Sequence, residues 1–342
     1  MRARRVLASL VVGLGVLALG AVAALRATPW PSALLIRRVF TKGARETVAE
    51  MLPFVPGGVT ARTGVPVGPA AGGLTFDVFR PSDAEGALPT VVWVHGGAWL
   101  SGSSWDVEPY LRILAAEGFT TVGLNYTLAP EAAYPTAIRQ LNDALAHLVA
   151  HADEYGIDPS RIVLAGDSAG AQLASQLAVL ATNAEYADLV GIAPAVGGDQ
   201  LAGVVLNCGV YDLDALADLT GLLGWGFKTA MWAYAGTKDW SDSPAGRTMS
   251  TLEFVTADFP PAYVSGGNGD GLTATQSVPL AAALRAAGVD VTELFWPVDH
   301  EPALPHEYQF HLRFPEAREA LSATVAFLRE RTSQADTAND AA

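Results

Sequence analysis

Cysteine is almost missing from this chain: one residue, Cys208, in 342. No intrachain disulfide can form, and no cysteine-based metal site can be built. The lone thiol reads as a buried apolar side chain on a core strand. Acidic residues are absent from the first 45 positions, which hold eight Lys and Arg instead. The rest of the chain then carries 13 basic residues against all 35 acidic ones. So acidic a body argues against nucleic acid as a partner. It suits a domain repelled from anionic surfaces behind a basic, apolar leader. Charge is missing again from Val6 to Leu25, a run of 20 residues that follows Arg2, Arg4 and Arg5. Such a run can span a bilayer, and Ala21-Val22-Ala23 offers the small residues of a cleavage site. The expectation is a signal-anchor or signal peptide over residues 1–30. The body would then be membrane-anchored and extracytoplasmic, or secreted after a cut near Ala23.

Half of the residues are hydrophobic, enough for one large α/β domain behind that leader. Residues 31–73 read as an amphipathic helix (Ser32 to Leu52), lying on a membrane or covering the domain, followed by a Pro- and Gly-rich linker. From 74 to 331 strands and helices alternate. Strands are expected at Leu74–Phe79, Thr90–Val94, Thr120–Leu124, Arg161–Ala165, Leu201–Asn207, Ala262–Ser265 and Val289–Phe295. Helices are expected near 136–151, 275–287 and 315–330. Continuous apolar strands between helices imply a mostly parallel sheet covered on both faces. Residues 210–258, rich in Trp and Gly, interrupt the alternation as a lid or cap insertion. The small polar tail, 332–342, is expected to be disordered.

The sharpest motif is Gly166-Asp-Ser-Ala-Gly170, directly after the apolar Arg161–Ala165 and directly before a helix-competent stretch. That order is what a nucleophile elbow needs. Gly166 and Gly170 relieve a crowded turn of Cβ atoms, and the helix N-terminus aims free N–H groups at developing negative charge. Ser168 is the expected nucleophile. His95-Gly-Gly-Ala-Trp99 follows another strand, where main-chain N–H groups of Gly96, Gly97 or Ala98, joined by that of Ala169, can hold an oxyanion. His95 is read as orienting this loop by hydrogen bonding. Asp167 is read as a hydrogen-bonding neighbour of the nucleophile, and Asp143 as a helix residue near it. Trp99, Trp225 and Trp232 are candidate lining for an acyl pocket, with ordinary packing the plain alternative.

Together with Asn125-Tyr-Thr-Leu-Ala-Pro-Glu131, these motifs resemble the α/β-hydrolase esterases related to hormone-sensitive lipase, over roughly residues 74–330. The resemblance implies the α/β-hydrolase fold: an eight-stranded, mostly parallel sheet with helices on both faces and a small cap. It implies hydrolysis of short- or medium-chain carboxylic esters by a Ser–Asp–His triad, with no metal and no organic cofactor. It puts the acid at Asp270, within Gly266-Gly-Asn-Gly-Asp-Gly271. For the base, His306 begins His-Glu-Tyr, similar to the family's His-Gly-Phe, and stands at the family's distance from the final helix. His300 lies closer to the last strand and stays as the alternative. His311, His147 and His151 are read as structural or surface residues. Three departures stand out: Ala98 and Ala171 replace family glycines, and Asn125-Tyr126-Thr127 replaces Asp-Tyr-Arg, which removes an expected ion pair. A non-catalytic ligand-binding protein on this fold, and an amidase, deacetylase or lipase with the same triad, are the alternative functions.

Overall fold

A computed structural model describes residues 23–68 and 73–333. The described residues form one eight-stranded sheet in the order β1-β2-β4-β3-β5-β6-β7-β8. The strands are β1 (Val59–Pro66), β2 (Thr75–Pro81), β3 (Leu88–Val94), β4 (Thr120–Leu124), β5 (Ile157–Asp167), β6 (Leu201–Asn207), β7 (Ala262–Gly266) and β8 (Val291–Phe295). β1 and β2 run antiparallel to their neighbours, and every pairing from β4 to β8 is parallel.

The central strands read as unbroken apolar runs because both of their faces are covered. Alternate residues serve opposite layers. Val91 and Trp93 of β3 pack with Val163, Val205 and Tyr263 against Tyr110, Leu114 and Phe327, from the helices Ser104–Ala116 and Pro315–Thr332. Val92 and Val94 pack with Leu164 and Val204 against Leu141, Leu173 and Leu280, from Thr136–Ala150, Ala169–Thr182 and Val278–Ala286. The helix after Ser168 is buried from Ala169 through Leu180, which explains its content of Ala, Gly and short polar residues.

Two elements depart from expectation. β1 lies inside the segment expected to be a linker: it is an edge strand with most residues exposed, so it carries no burial pattern to read. Ser104–Ala116 is a helix with a Ser103/Asp106 capping box and Pro109 in its first turns. Elsewhere the expected strands hold to within a few residues, and Thr136–Ala150 and Pro315–Thr332 match their expected helices.

The leader must be corrected. Most of Val6–Leu25 lies outside the described residues, and so does nearly all of the tail expected from 332. Among the described residues no helix is long and apolar enough to cross a membrane, so the membrane-anchored localisation and the membrane partner are left without support. The helix Trp30–Met51 covers the domain instead, burying Ala33, Ile36, Val48 and Met51. Its Arg37 donates to the carbonyls of Leu100 (2.6 Å) and Ala129 (2.8 Å) and pairs with both Glu131 oxygens at 2.6 Å.

Candidate active site

The site lies at the carboxyl ends of the parallel strands. Ser168 follows β5, at the N-cap of the helix Ala169–Thr182, with a positive φ of 52° and ψ −121°. This strained turn holds only because its neighbours leave no alternative. A Cβ on Gly170 would stand 2.0 Å from the Val94 carbonyl oxygen, and one on Gly166 would stand 2.5 Å from the Gly170 main chain. Neither position tolerates a side chain.

His306 reaches Ser168. Its Nε2 lies 2.9 Å from Ser168 Oγ, and its Nδ1 lies 2.7 Å from Asp270 Oδ2. The acid loop and the histidine loop, which follow β7 and β8, are fastened to each other. Asn268 Nδ2 donates to the His300 carbonyl (2.8 Å), Leu304 N–H to Asn268 Oδ1 (2.9 Å), and Gly269 N–H to the Leu304 carbonyl (2.9 Å). A Cβ on Gly267 would meet the Leu304 oxygen at 2.4 Å, so glycine permits the approach. The residues between β8 and His306 thus form the brace that delivers the imidazole. His300 is turned away, its Nε2 on Glu316 Oε1 at 3.0 Å.

The loop after β3 runs left-handed through Gly97 (φ 107°), Ala98 (53°) and Trp99 (58°). His95 is buried and stacked on Tyr126, with Nδ1 on the Gly96 carbonyl at 2.8 Å. Burial, partly opposed by that hydrogen bond, brings its pKa down to about 4, so it is a neutral strut. Asp167 accepts from Trp93 Nε1 (2.7 Å) and from Gly96 N–H (2.8 Å). Gly96 is therefore corrected as an oxyanion donor, because its N–H is spent on Asp167. Burial first, then the nearby Glu307, pushes the Asp167 carboxyl well above the usual range.

Burial pulls the His306 imidazole down. The Asp270 hydrogen bond and the charges of Glu307, Asp270 and Asp167 outweigh it and raise the pKa to about 9. Cys208, Asp270 and His306 each bring one potential metal ligand within 4.8 Å of the others. Asp270 and His306 are engaged with each other, and burial, with the surrounding carboxylates, pushes the thiol up and away from the thiolate a metal needs.

The tryptophans do not share a pocket. Trp99 is buried, stacked on Tyr234 (5.2 Å) and donating to Gln172 Oε1 at 3.2 Å, so it fastens the loop to the segment after β6. Trp225 is 41% exposed, and Trp232 lies under Lys238, whose Nζ is 4.2 Å from the ring centroid. Asp143 is exposed and takes no part. The same helix turns the neighbouring Asn142 inward to the Ala193 carbonyl and the Ala195 N–H. Asn125 replaces the expected ion pair with bonds to Ser104 and Thr75. Glu307 and Trp93 are site residues the sequence reading passes over. For Glu307 the visible signal is a glutamate standing where the resembled family has glycine.

A model of the BD-FAE family matches residues 76–284, more than half of the chain and inclusive of Ser168 and Asp270. The chain belongs to the BD-FAE family. As a BD-FAE protein it is an α/β-hydrolase of the carboxylesterase type, and its relatives agree. It is 33% identical over 263 residues to carboxylesterase NlhH of Mycobacterium tuberculosis, covering 74% of this chain and 76% of that one. It is 30% identical over 257 residues to esterase LipQ of the same organism, covering 72% of this chain but only 59% of LipQ. Esterase B from Lactobacillus Rhamnosis shares the fold, with a TM-score of 0.76 and 24% identity over 88% of this chain and 95% of that one.

Proposed function

We propose that this protein is a serine carboxylesterase acting on short- or medium-chain acyl esters through an acyl-enzyme. The observation that carries the reading is the unbroken line Ser168 Oγ–His306–Asp270, at 2.9 and 2.7 Å. Oγ attacks the ester carbonyl as Nε2 takes its proton. Asp270 holds Nδ1–H and stabilises the imidazolium. The N–H groups of Gly97, Ala98 and Ala169 receive the oxyanion. The imidazolium then protonates the departing alcohol, and water repeats the cycle against the acyl group. The segment between β6 and β7 serves as the cap from which acyl preference arises.

The test is a p-nitrophenyl ester chain-length series on the wild type and on Ser168→Ala, His306→Ala and His300→Ala. The first two variants lose roughly 10⁴-fold or more in kcat. His300→Ala keeps most of it. Undiminished turnover in Ser168→Ala ends the proposal, and a collapse confined to His300→Ala reassigns the base.

A further inference from the structure

Glu307, the residue after His306, holds a left-handed backbone, φ 59° and ψ 31°. Glycine fits such a position without strain, and a glutamate does not. Its side chain reaches into the site. Oε1 lies 3.8 Å from His306 Nε2, the nitrogen that faces Ser168. The same oxygen lies 2.9 Å from where a Cβ on Gly96 would stand, and Asp167 Oδ2 lies 2.3 Å from that point. Two carboxyl groups thus converge under the Gly96 turn, within hydrogen-bonding reach of each other. Burial and the like charge of Glu307 together raise the Asp167 carboxyl well above its usual range, so Asp167 keeps its proton beside Glu307.

We propose that Glu307 is a second carboxylate partner of the catalytic imidazole, on its Nε2 side, and that it sets the pH range in which His306 can act as base. The proposal rests on the triad reading above. Asp270 faces Nδ1 from the loop after β7, Asp167 ends β5, the neutral Cys208 thiol follows β6, and Asp106 stands beyond Glu307 on the Ser104–Ala116 helix. Flanked by two carboxylates, the resting imidazole keeps an extra proton that must leave before Ser168 can attack. When Oγ bonds to the carbonyl carbon, its proton moves to Nε2, and the imidazolium so formed again lies between Asp270 and Glu307.

The sign is fixed by the base form. The imidazole titrates near 9, so kcat/KM rises with pH up to that value. Removing the Glu307 charge stabilises the neutral ring and moves the rise to lower pH. The experiment compares wild type, Glu307→Gln and Glu307→Gly, reading kcat/KM for p-nitrophenyl butyrate against pH and the His306 ring titration by NMR without substrate. Both variants shift the acid limb and the ring titration down by roughly one unit, leaving about tenfold more base form below the limb. Glycine suits the backbone, so Glu307→Gly keeps the fold. A loss of rate at every pH with the His306 titration unmoved overturns the proposal. A wild type that turns over no ester while its His306 titration still responds to Glu307→Gln removes the hydrolase reading and leaves the coupling standing.

Discussion

The carboxyl edge of the sheet and the segment joining β6 to β7 differ in how uniformly they are packed. At Gly96, Gly97, Gly166 and Gly170 a Cβ would meet another atom at under 3.0 Å, whereas the joining segment mixes crowded positions, Gly224 and Gly246, with Gly221 and Gly226, which have nothing within 4 Å. The edge is closely tied: Ser168 N–H donates to the Asn207 carbonyl, and Asp167 accepts from Gly96 N–H and Trp93 Nε1. The joining segment leaves Leu222 and Leu223 80% and 75% exposed on the helix Gly221–Ala235. The candidate nucleophile sits in closely packed main chain, and the more exposed surface lies on the joining segment. The two regions meet at the Trp99–Tyr234 stack and at the bonds from Gln172 to the Met249 carbonyl and between Ser175 and Thr251.

That contrast can be broken or sharpened by substitution. The largest effect belongs to Asp270→Asn, which keeps the shape but holds the imidazole in the wrong tautomer. It should cost about 10⁴ in kcat with the thermal midpoint almost unchanged, read by ester turnover and calorimetry. Gly170→Ala comes next. Its methyl has no space against the Val94 carbonyl, and about 3 kcal/mol of stability should go, measured by denaturant unfolding. Arg37→Ala leaves the carbonyls of Leu100 and Ala129 without their partner and should cost roughly 1–3 kcal/mol in the same assay. Smallest is Leu222→Ser, expected within about 0.5 kcal/mol of wild type. If it destabilises as much as Arg37→Ala, the joining segment is as tightly held as the edge and the contrast fails.

What could be read in the residues follows the same division. Strands covered on both faces, such as Thr120–Leu124 and Leu201–Asn207, carry short uncharged, β-prone runs and are legible to the residue. β1 was not, because an exposed edge strand containing Gly64 and Pro66 has neither run nor alternation. Ser168, Asp270 and the loop after His95 were legible as motifs, each a local pattern of glycines around one functional residue. The choice between His300 and His306 was not local. Both follow the last strand within a few positions, and what separates them is the brace from Asn268 to the His300 and Leu304 main chain. Gly96 failed as an oxyanion donor for a similar reason: its N–H meets Asp167, a residue 71 positions away. Trp99 looked like pocket lining because tryptophan beside a glycine loop gives no sign of which face is already occupied.

The stitching of the Asp270 loop to the His306 loop has a mechanical corollary. Three main-chain and amide links tie acid and base into one body, while Ser168 belongs to the β5 turn and shares none of them. If the site breathes, the carboxylate and imidazole travel together and only the gap between ring and hydroxyl widens. Loss of the serine contact would then be a rigid displacement of an intact dyad, reversible without either loop refolding.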